Sequence, residues 1–339
     1  MRKKFFIIAM VLALLMAVMT SCDHDITEGE SDFQSIQNGA FSDVLPSSSE
    51  EAAPVIVRDR FVFKNGEYNL NAVYTYIDDG EKHPAVLLIA GSGPSDCDST
   101  LGSLKPFADI ADALAQKGIC SLRVDKRTLN YGASFANGGI EEEYLDDCRA
   151  AISYLKNQPT VGEVYLLGHS LGGQIACILQ SETENISGTI CFNSSLRHLA
   201  DIACDQYSVA DAANEYRYRL YADMAKTATA DTATGSYYYG AQDHYWASYN
   251  KYDFVYLVNN SQSPLLIINS TKDMQLFEPD IELWDSVLGG SANATIIIDD
   301  SINHLGYETD LSSPDALIQN PELPQKIIDA FAEFINRVE

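Results

Sequence analysis

Glu163-Val164-Tyr165-Leu166-Leu167-Gly168-His169-Ser170-Leu171-Gly172-Gly173-Gln174-Ile175-Ala176-Cys177-Ile178-Leu179-Gln180 sets an apolar strand, a glycine-bounded serine and an apolar helix in direct succession. Glu163 to Leu167 reads as a buried strand and Leu171 to Gln180 as a helix packed on it. A serine in Gly-x-Ser-x-Gly between two such elements sits on a sharp turn, its hydroxyl raised above the carboxyl edge of the sheet. Gly168 and Gly172 suit a point where strand and helix approach too closely for a Cβ, and Gly173 relieves the same crowding.

Outward from this point, strands and helices alternate. Ala85 to Ala90, Ile119 to Val124, Ile186 to Phe192, Leu265 to Asn269 and Thr295 to Ile298 are short apolar runs of the kind buried on both faces of a sheet. Leu104 to Lys117, Glu141 to Asn157 and Lys326 to Val338 read as amphipathic helices. That alternation predicts an α/β fold, a mostly parallel central sheet with helices on both faces. Val55 to Phe63 and Tyr68 to Ile77, separated by Lys64-Asn65-Gly66, read as an antiparallel N-terminal hairpin with an Asn-Gly turn. About 195–263 is too long for a plain connection and reads as an inserted helical lid. Val209, Ala213, Tyr216, Leu220 and Met224 fall there at helical spacing. The same stretch holds eleven of the nineteen tyrosines and one of the two tryptophans, suited either to packing the insertion or to lining a substrate pocket.

A serine hydroxyl needs a base to become a nucleophile. Of the six histidines, His304, in Ile302-Asn303-His304-Leu305-Gly306, stands in the loop after the last strand and can fold back over the carboxyl edge. The histidine in turn needs a carboxylate to fix its tautomer. Asp273 follows the preceding strand in Asn269-Ser270-Thr271-Lys272-Asp273, and the order Ser, Asp, His favours it over Asp299, Asp300 and Glu278. An oxyanion would meet the backbone amide of Leu171 and one from Gly91-Ser92-Gly93-Pro94, with Ser92 as the expected donor. That Gly-x-Gly is no dinucleotide fingerprint, since the third glycine is missing and Asp96 and Asp98 oppose a pyrophosphate. No cofactor or metal is expected: the cysteines show no paired spacing of the kind that holds zinc.

These stretches resemble the α/β-hydrolases, in particular an exported bacterial carboxylesterase-like group whose loop reads His-Gly-Ser-Gly-Pro-x-Asp-Arg-Asp. The likeness lies in Ile89–Asp98, Leu122–Arg127, Leu166–Gly173, Pro264–Gln275 and Asn303–Leu305. It departs at Ala90, where the group has histidine, at Cys97, where it has arginine, and at Thr128-Leu129-Asn130, where it has Gly-x-Gly. The resemblance implies an α/β-hydrolase fold over 55–339 and a triad of Ser170, Asp273 and His304. It further implies hydrolysis of a small-molecule ester through an acyl-enzyme. A peptidase, thioesterase or acyltransferase on the same residues, or a binding lipoprotein that has lost catalysis, are the competing expectations.

The chain carries 22 basic and 48 acidic residues, a net charge of −26, which excludes a general affinity for nucleic acid. Three basic residues, Arg2, Lys3 and Lys4, precede an uncharged apolar run, Phe5 to Met19, too short for a bilayer span. Thr20-Ser21-Cys22 then resembles the lipobox of bacterial lipoproteins. Residues 1–21 are thus expected to be a signal peptide, Cys22 a lipidated residue and 22–54 a flexible acidic tether. The expected location is outside the cytoplasm, held to a membrane by lipid alone. Loss of the signal segment sharpens the charge to −29, which favours neutral esters. Cys120, Cys177 and Cys191 sit in apolar runs and read as buried free thiols.

Overall fold

The computed structural model describes residues 55–132, 138–308 and 322–337; the expected signal peptide, Cys22 and the tether lie outside them. Eight strands form one sheet in the order β1-β2-β4-β3-β5-β6-β9-β10. They are β1 (Val55–Asn65), β2 (Tyr68–Asp78), β3 (His83–Ile89), β4 (Cys120–Val124), β5 (Val161–His169), β6 (Gly188–Phe192), β9 (Leu265–Ser270) and β10 (Ala294–Asp299). β2 runs antiparallel to both of its neighbours, and all other pairings are parallel. This is the α/β-hydrolase fold.

The hairpin is present, but its turn is shifted by one residue from the expected Asn-Gly. Asn65 pairs with Tyr68, leaving Gly66 and Glu67 as the central residues, with Gly66 at φ +60°. Only the first central position needs the left-handed region, which glycine supplies. Asn65 instead spends its side chain on tertiary structure, donating Nδ2 to Asp147 Oδ1 at 2.7 Å.

Two apolar layers flank the sheet. On one side α1 (Pro106–Ala115) and α10 (Gln325–Ile335) bury Phe107, Ile110, Leu114, Ile328 and Phe331. The other side takes α3 (Asp146–Lys156) and α4 (Leu171–Glu182), which bury Ile152, Leu155, Ile175 and Ile178. A short α2 (Arg127–Tyr131) follows β4, and a π turn, Glu141–Leu145, leads into α3 where one continuous helix is expected. A helix that the alternation leaves unmarked, α9 (Glu278–Leu288), connects β9 to β10.

Between β6 and β9 lie α5 (Leu199–Ala210), α6 (Glu215–Thr227), a two-residue hairpin of β7 (Tyr237–Tyr238) and β8 (Ala241–Gln242), α7 (Asp243–Tyr249) and α8 (Phe254–Asn259). The helical spacing from Val209 to Met224 is therefore split over two helices, broken at Asp211. Val209, Tyr216, Leu220 and Met224 are exposed, whereas α6 buries Ala222 and Ala225. Most of the aromatics pack the insertion itself: Tyr207, Tyr218, Tyr221, Tyr239, Trp246 and Tyr249 form one chain of ring contacts. Among the described residues no helix is long and apolar enough to cross a membrane.

Candidate active site

Strand order reverses around β3, whose next strand in sequence, β4, lies on one side and whose next but one, β5, on the other. Carboxyl ends that part in this way leave a crevice above the sheet, the usual place for a ligand in such folds. Every expected site residue leaves the sheet along this edge: the 91–93 loop after β3, Ser170 after β5, Asp273 after β9 and His304 after β10.

Ser170 sits between β5 and α4 at φ +56°, ψ −125°, a conformation that non-glycine residues adopt only under constraint. The constraint is the packing around it. A Cβ on Gly168 would lie 2.0 Å from the carbonyl oxygen of Gly172, so the strand can meet the helix only through glycine. A Cβ on Gly91 would fall 2.9 Å from Ser170 Cβ, which places the loop after β3 directly against the serine.

Asp273 and His304 are both buried, and His304 Nδ1 lies 2.6 Å from Asp273 Oδ2. The other carboxylate oxygen of Asp273 accepts from the amides of Gln275 (2.7 Å) and Leu276 (3.1 Å), which hold the carboxylate in place. With Nδ1–H donating to this carboxylate, neutral His304 presents Nε2 as a proton acceptor. The competing carboxylates are placed otherwise. Asp299 pairs with Lys326 at 2.5 Å and caps Ser301, while Asp300 and Glu278 are exposed.

The structure thus joins Asp273 to His304 and sets Ser170 against the 91–93 loop. Among the described residues no hydrogen bond joins Ser170 Oγ to His304 Nε2. Such bonds are often long in an unliganded enzyme and tighten in the complex. What links the two halves is His169. It is buried at the end of β5, and its Nε2 donates to the His304 carbonyl at 2.7 Å. Burial, reinforced by the neighbouring His304, pulls its pKa down to about 3. Asn193 Nδ2 donates to the same carbonyl at 3.0 Å and to that of Asn303 at 3.0 Å.

Of the two expected oxyanion donors, Leu171 opens α4, where a first-turn amide has no acceptor within the helix. Ser92 is exposed, and among the described residues its amide donates to no protein acceptor. The segment that follows is pinned from beneath. Cys97 N donates to Asp125 Oδ1 (2.7 Å), Lys126 N to the Ser95 carbonyl (2.9 Å) and Arg123 Nε to the buried Asp98 carboxylate (2.8 Å). Asp98 is therefore a structural partner of Arg123, held below the usual carboxylate range against the opposing effect of its burial. Cys97, in the place of the group's arginine, is a buried thiol pushed up to about 12 by that burial.

No sequence motif marks His169, Asn193 or Lys126, all of which act through backbone carbonyls. His169 is fixed by adjacency to Ser170, but its direction depends on a loop that begins about 130 residues later. Among the described residues no three His, Cys, Asp or Glu side chains are grouped so as to hold a metal ion.

Sheet order and the glycine-bounded serine turn together define the α/β-hydrolase fold. The comparisons agree on that fold. The family described as serine aminopeptidase, S33, matches residues 102–248, a span that contains Ser170 but neither Asp273 nor His304. The chain is 30% identical over 256 residues to Esterase EstD of Thermotoga maritima, covering 74% of this chain and 62% of that protein. It therefore spans under two thirds of the relative's length. Among solved structures, Est1E from Butyrivibrio proteoclasticus superposes with a TM-score of 0.54 at 16% identity, covering 81% of this chain and 97% of that one. The acylaminoacyl peptidase of Pyrococcus horikoshii gives 0.55 at 16% identity, over 83% of this chain and 42% of its own. These structural likenesses bear on the fold.

Proposed function

We propose that the protein is a serine hydrolase of the carboxylesterase type, with Ser170 as nucleophile, His304 as general base and then acid, and Asp273 as the group that orients His304. The single observation that carries this reading is the 2.6 Å bond between Asp273 and His304, at the same sheet edge as the constrained Ser170. Ser170 Oγ adds to the ester carbonyl as its proton passes to His304 Nε2, and the displaced electron pair rests on the carbonyl oxygen. The amides of Leu171 and Ser92 would stabilise that oxyanion. Collapse expels the alcohol, which takes the proton from His304. Water activated by the same imidazole then releases the acid and restores Ser170.

The esterase relative favours an ester over an amide bond, and the net charge of −26 favours a neutral substrate. The match to a family described as serine aminopeptidase keeps a peptide substrate as the second reading. The reading also includes export and lipid anchoring at Cys22, supported by the basic and apolar segment that precedes it.

The test is turnover of short p-nitrophenyl esters beside aminoacyl p-nitroanilides, with fluorophosphonate labelling of Ser170. The panel extends to longer acyl chains, aromatic esters and acetylated sugars. Ester cleavage lost in Ser170→Ala is the expected result. Wild-type turnover by that variant would overturn the mechanism, and faster anilide cleavage would favour the peptidase. Radiolabelled palmitate incorporation, lost in Cys22→Ser, tests the anchor.

A further inference from the structure

Lys126 follows β4 between Asp125 and Arg127, yet its side chain is buried. Its Nζ donates to the carbonyl oxygens of Gly93 (2.7 Å) and Gly91 (3.1 Å) and to the Tyr144 hydroxyl (2.6 Å). The Glu143 carboxylate lies 2.8 Å from the same ammonium. The Tyr144 hydroxyl in turn donates to the Gly91 carbonyl at 2.5 Å, so that one oxygen accepts two hydrogen bonds. Glu143 and Tyr144 are consecutive residues of the π turn, a form that recurs in short pieces at functional sites. These hydrogen bonds tie the Gly91–Gly93 loop down on the side of Lys126 and Tyr144.

Geometry converts this hold into direction. In a planar trans peptide the C=O and the following N–H point to opposite sides of the chain. Drawing the Gly91 carbonyl down onto Lys126 and Tyr144 turns the Ser92 N–H the other way, out of the protein's interior. Gly91 itself packs against Ser170. After Gly93 comes Pro94, which has no N–H, so the second carbonyl can be tied down without withdrawing a donor. A cation on the Gly91 carbonyl also polarises that amide, which makes its N–H a stronger donor.

We propose that Lys126, braced by Glu143 and Tyr144, is the positioning residue of the oxyanion hole, setting the Gly91–Ser92 peptide so that the Ser92 amide faces the oxygen that gains charge as Ser170 adds to the substrate. The proposal rests on the esterase reading above. It assigns the buried lysine to the transition state, because the ground-state carbonyl gains far less from that amide than the oxyanion does.

The experiment compares wild type with Lys126→Met and Tyr144→Phe. Three quantities are read: kcat and KM on p-nitrophenyl acetate, Ki for an aryl trifluoromethyl ketone that forms the tetrahedral oxyanion on Ser170, and the orientation of the Gly91–Ser92 peptide in the crystal structure of each variant. In Lys126→Met, kcat falls about 100-fold while KM stays within about twofold, and Ki for the ketone rises with the loss in kcat/KM. Tyr144→Phe, which keeps the ammonium, loses about tenfold in the same pattern. The Gly91–Ser92 peptide turns from its wild-type orientation in both. An unmoved peptide, or a turned peptide with an unchanged Ki, overturns the proposal. If Lys126→Met does not fold, Tyr144→Phe decides by the same readings. If wild type neither cleaves esters nor binds the ketone, the esterase reading fails, and the peptide orientation alone still reports whether this cluster holds the loop.

Discussion

His169 donates from Nε2 to the backbone carbonyl of His304 across 2.7 Å, and the two imidazole rings lie 4.7 Å apart between centroids. The neighbour of the proposed nucleophile thus holds the loop that bears the proposed base, 135 residues away along the chain. His169→Phe keeps the aromatic contacts with Phe107 and Phe192 but leaves that carbonyl to Asn193 alone. Removing a buried donor costs about 1–3 kcal/mol. The expected outcome is a loss of that size in urea unfolding together with a drop of about tenfold in ester turnover, as His304 loses its fixed position. Unchanged values in both measurements would show that the loop is held by other contacts.

His169 also makes stability depend on pH. Its pKa is about 3 in the folded protein and 6.5 in the unfolded chain, so between these values the unfolded chain binds the extra proton. Stability is therefore full above pH 6.5 and declines as pH falls towards 3. From pH 7 to pH 5 this one group removes about 2 kcal/mol. Urea unfolding of wild type and His169→Gln at the two pH values should differ in slope by about that amount. Parallel pH dependences would refute the assignment.

Asp273→Asn replaces a pure acceptor by a group that can turn an N–H towards His304 Nδ1. The imidazole would then carry its proton on Nε2, where a base is needed. A loss of about 10⁴ in kcat is expected with thermal stability nearly unchanged. Activity within tenfold of wild type would point to Asp299 or another carboxylate as the partner.

Arg123 and Asp98 form a buried pair at 2.8 Å beneath the loop that leads from the oxyanion segment. Arg123→Met leaves the buried Asp98 carboxylate to Lys105 alone, whose Nζ lies 3.1 Å away, at a cost of about 3 kcal/mol. Paired replacement, Arg123→Met with Asp98→Asn, should recover much of that loss, measured by urea unfolding. Recovery of nothing would mean that the shape of the arginine, and not the pairing of charge, supports the loop.

Cys97 has a thiol pushed up to about 12 by burial, and Cys120, Cys177, Cys191 and Cys204 are buried free thiols as well, whereas Cys148 is half-buried. Iodoacetamide at pH 8 should leave the five buried thiols unmodified in the folded protein and alkylate them after denaturation. Mass spectrometry reads the outcome directly, and rapid labelling of these thiols in folded protein would contradict this burial.

Sheet and serine turn were legible because local patterns dictate them. Apolar runs such as Leu265–Asn269 can be buried on both faces only in a helix-covered sheet, and Gly168 and Gly172 mark a contact that admits no Cβ. The helix Glu278–Leu288 was hard to read because its N-cap position holds Phe277 rather than a capping residue, although Ile281, Trp284 and Leu288 recur at helical spacing. Lys126 lies in the Leu122–Arg127 stretch that carries the family likeness, but nothing in that stretch marks its role. A lysine between an aspartate and an arginine reads as solvated, and its burial is set by carbonyls some 35 residues earlier and a π turn some 17 residues later.

Residue order by itself determined the alternating α/β frame, the Gly-x-Ser-x-Gly turn and the candidates Ser170, Asp273 and His304, since each depends on neighbours within a few positions. Tertiary structure brought Asp273, which residue order favoured over Asp299, to His304, and it alone decided that His169 supports the His304 loop and that Lys126 lies under Gly91. Those are choices among groups far apart in the chain, and only the packing of separate strand ends along one sheet edge makes them.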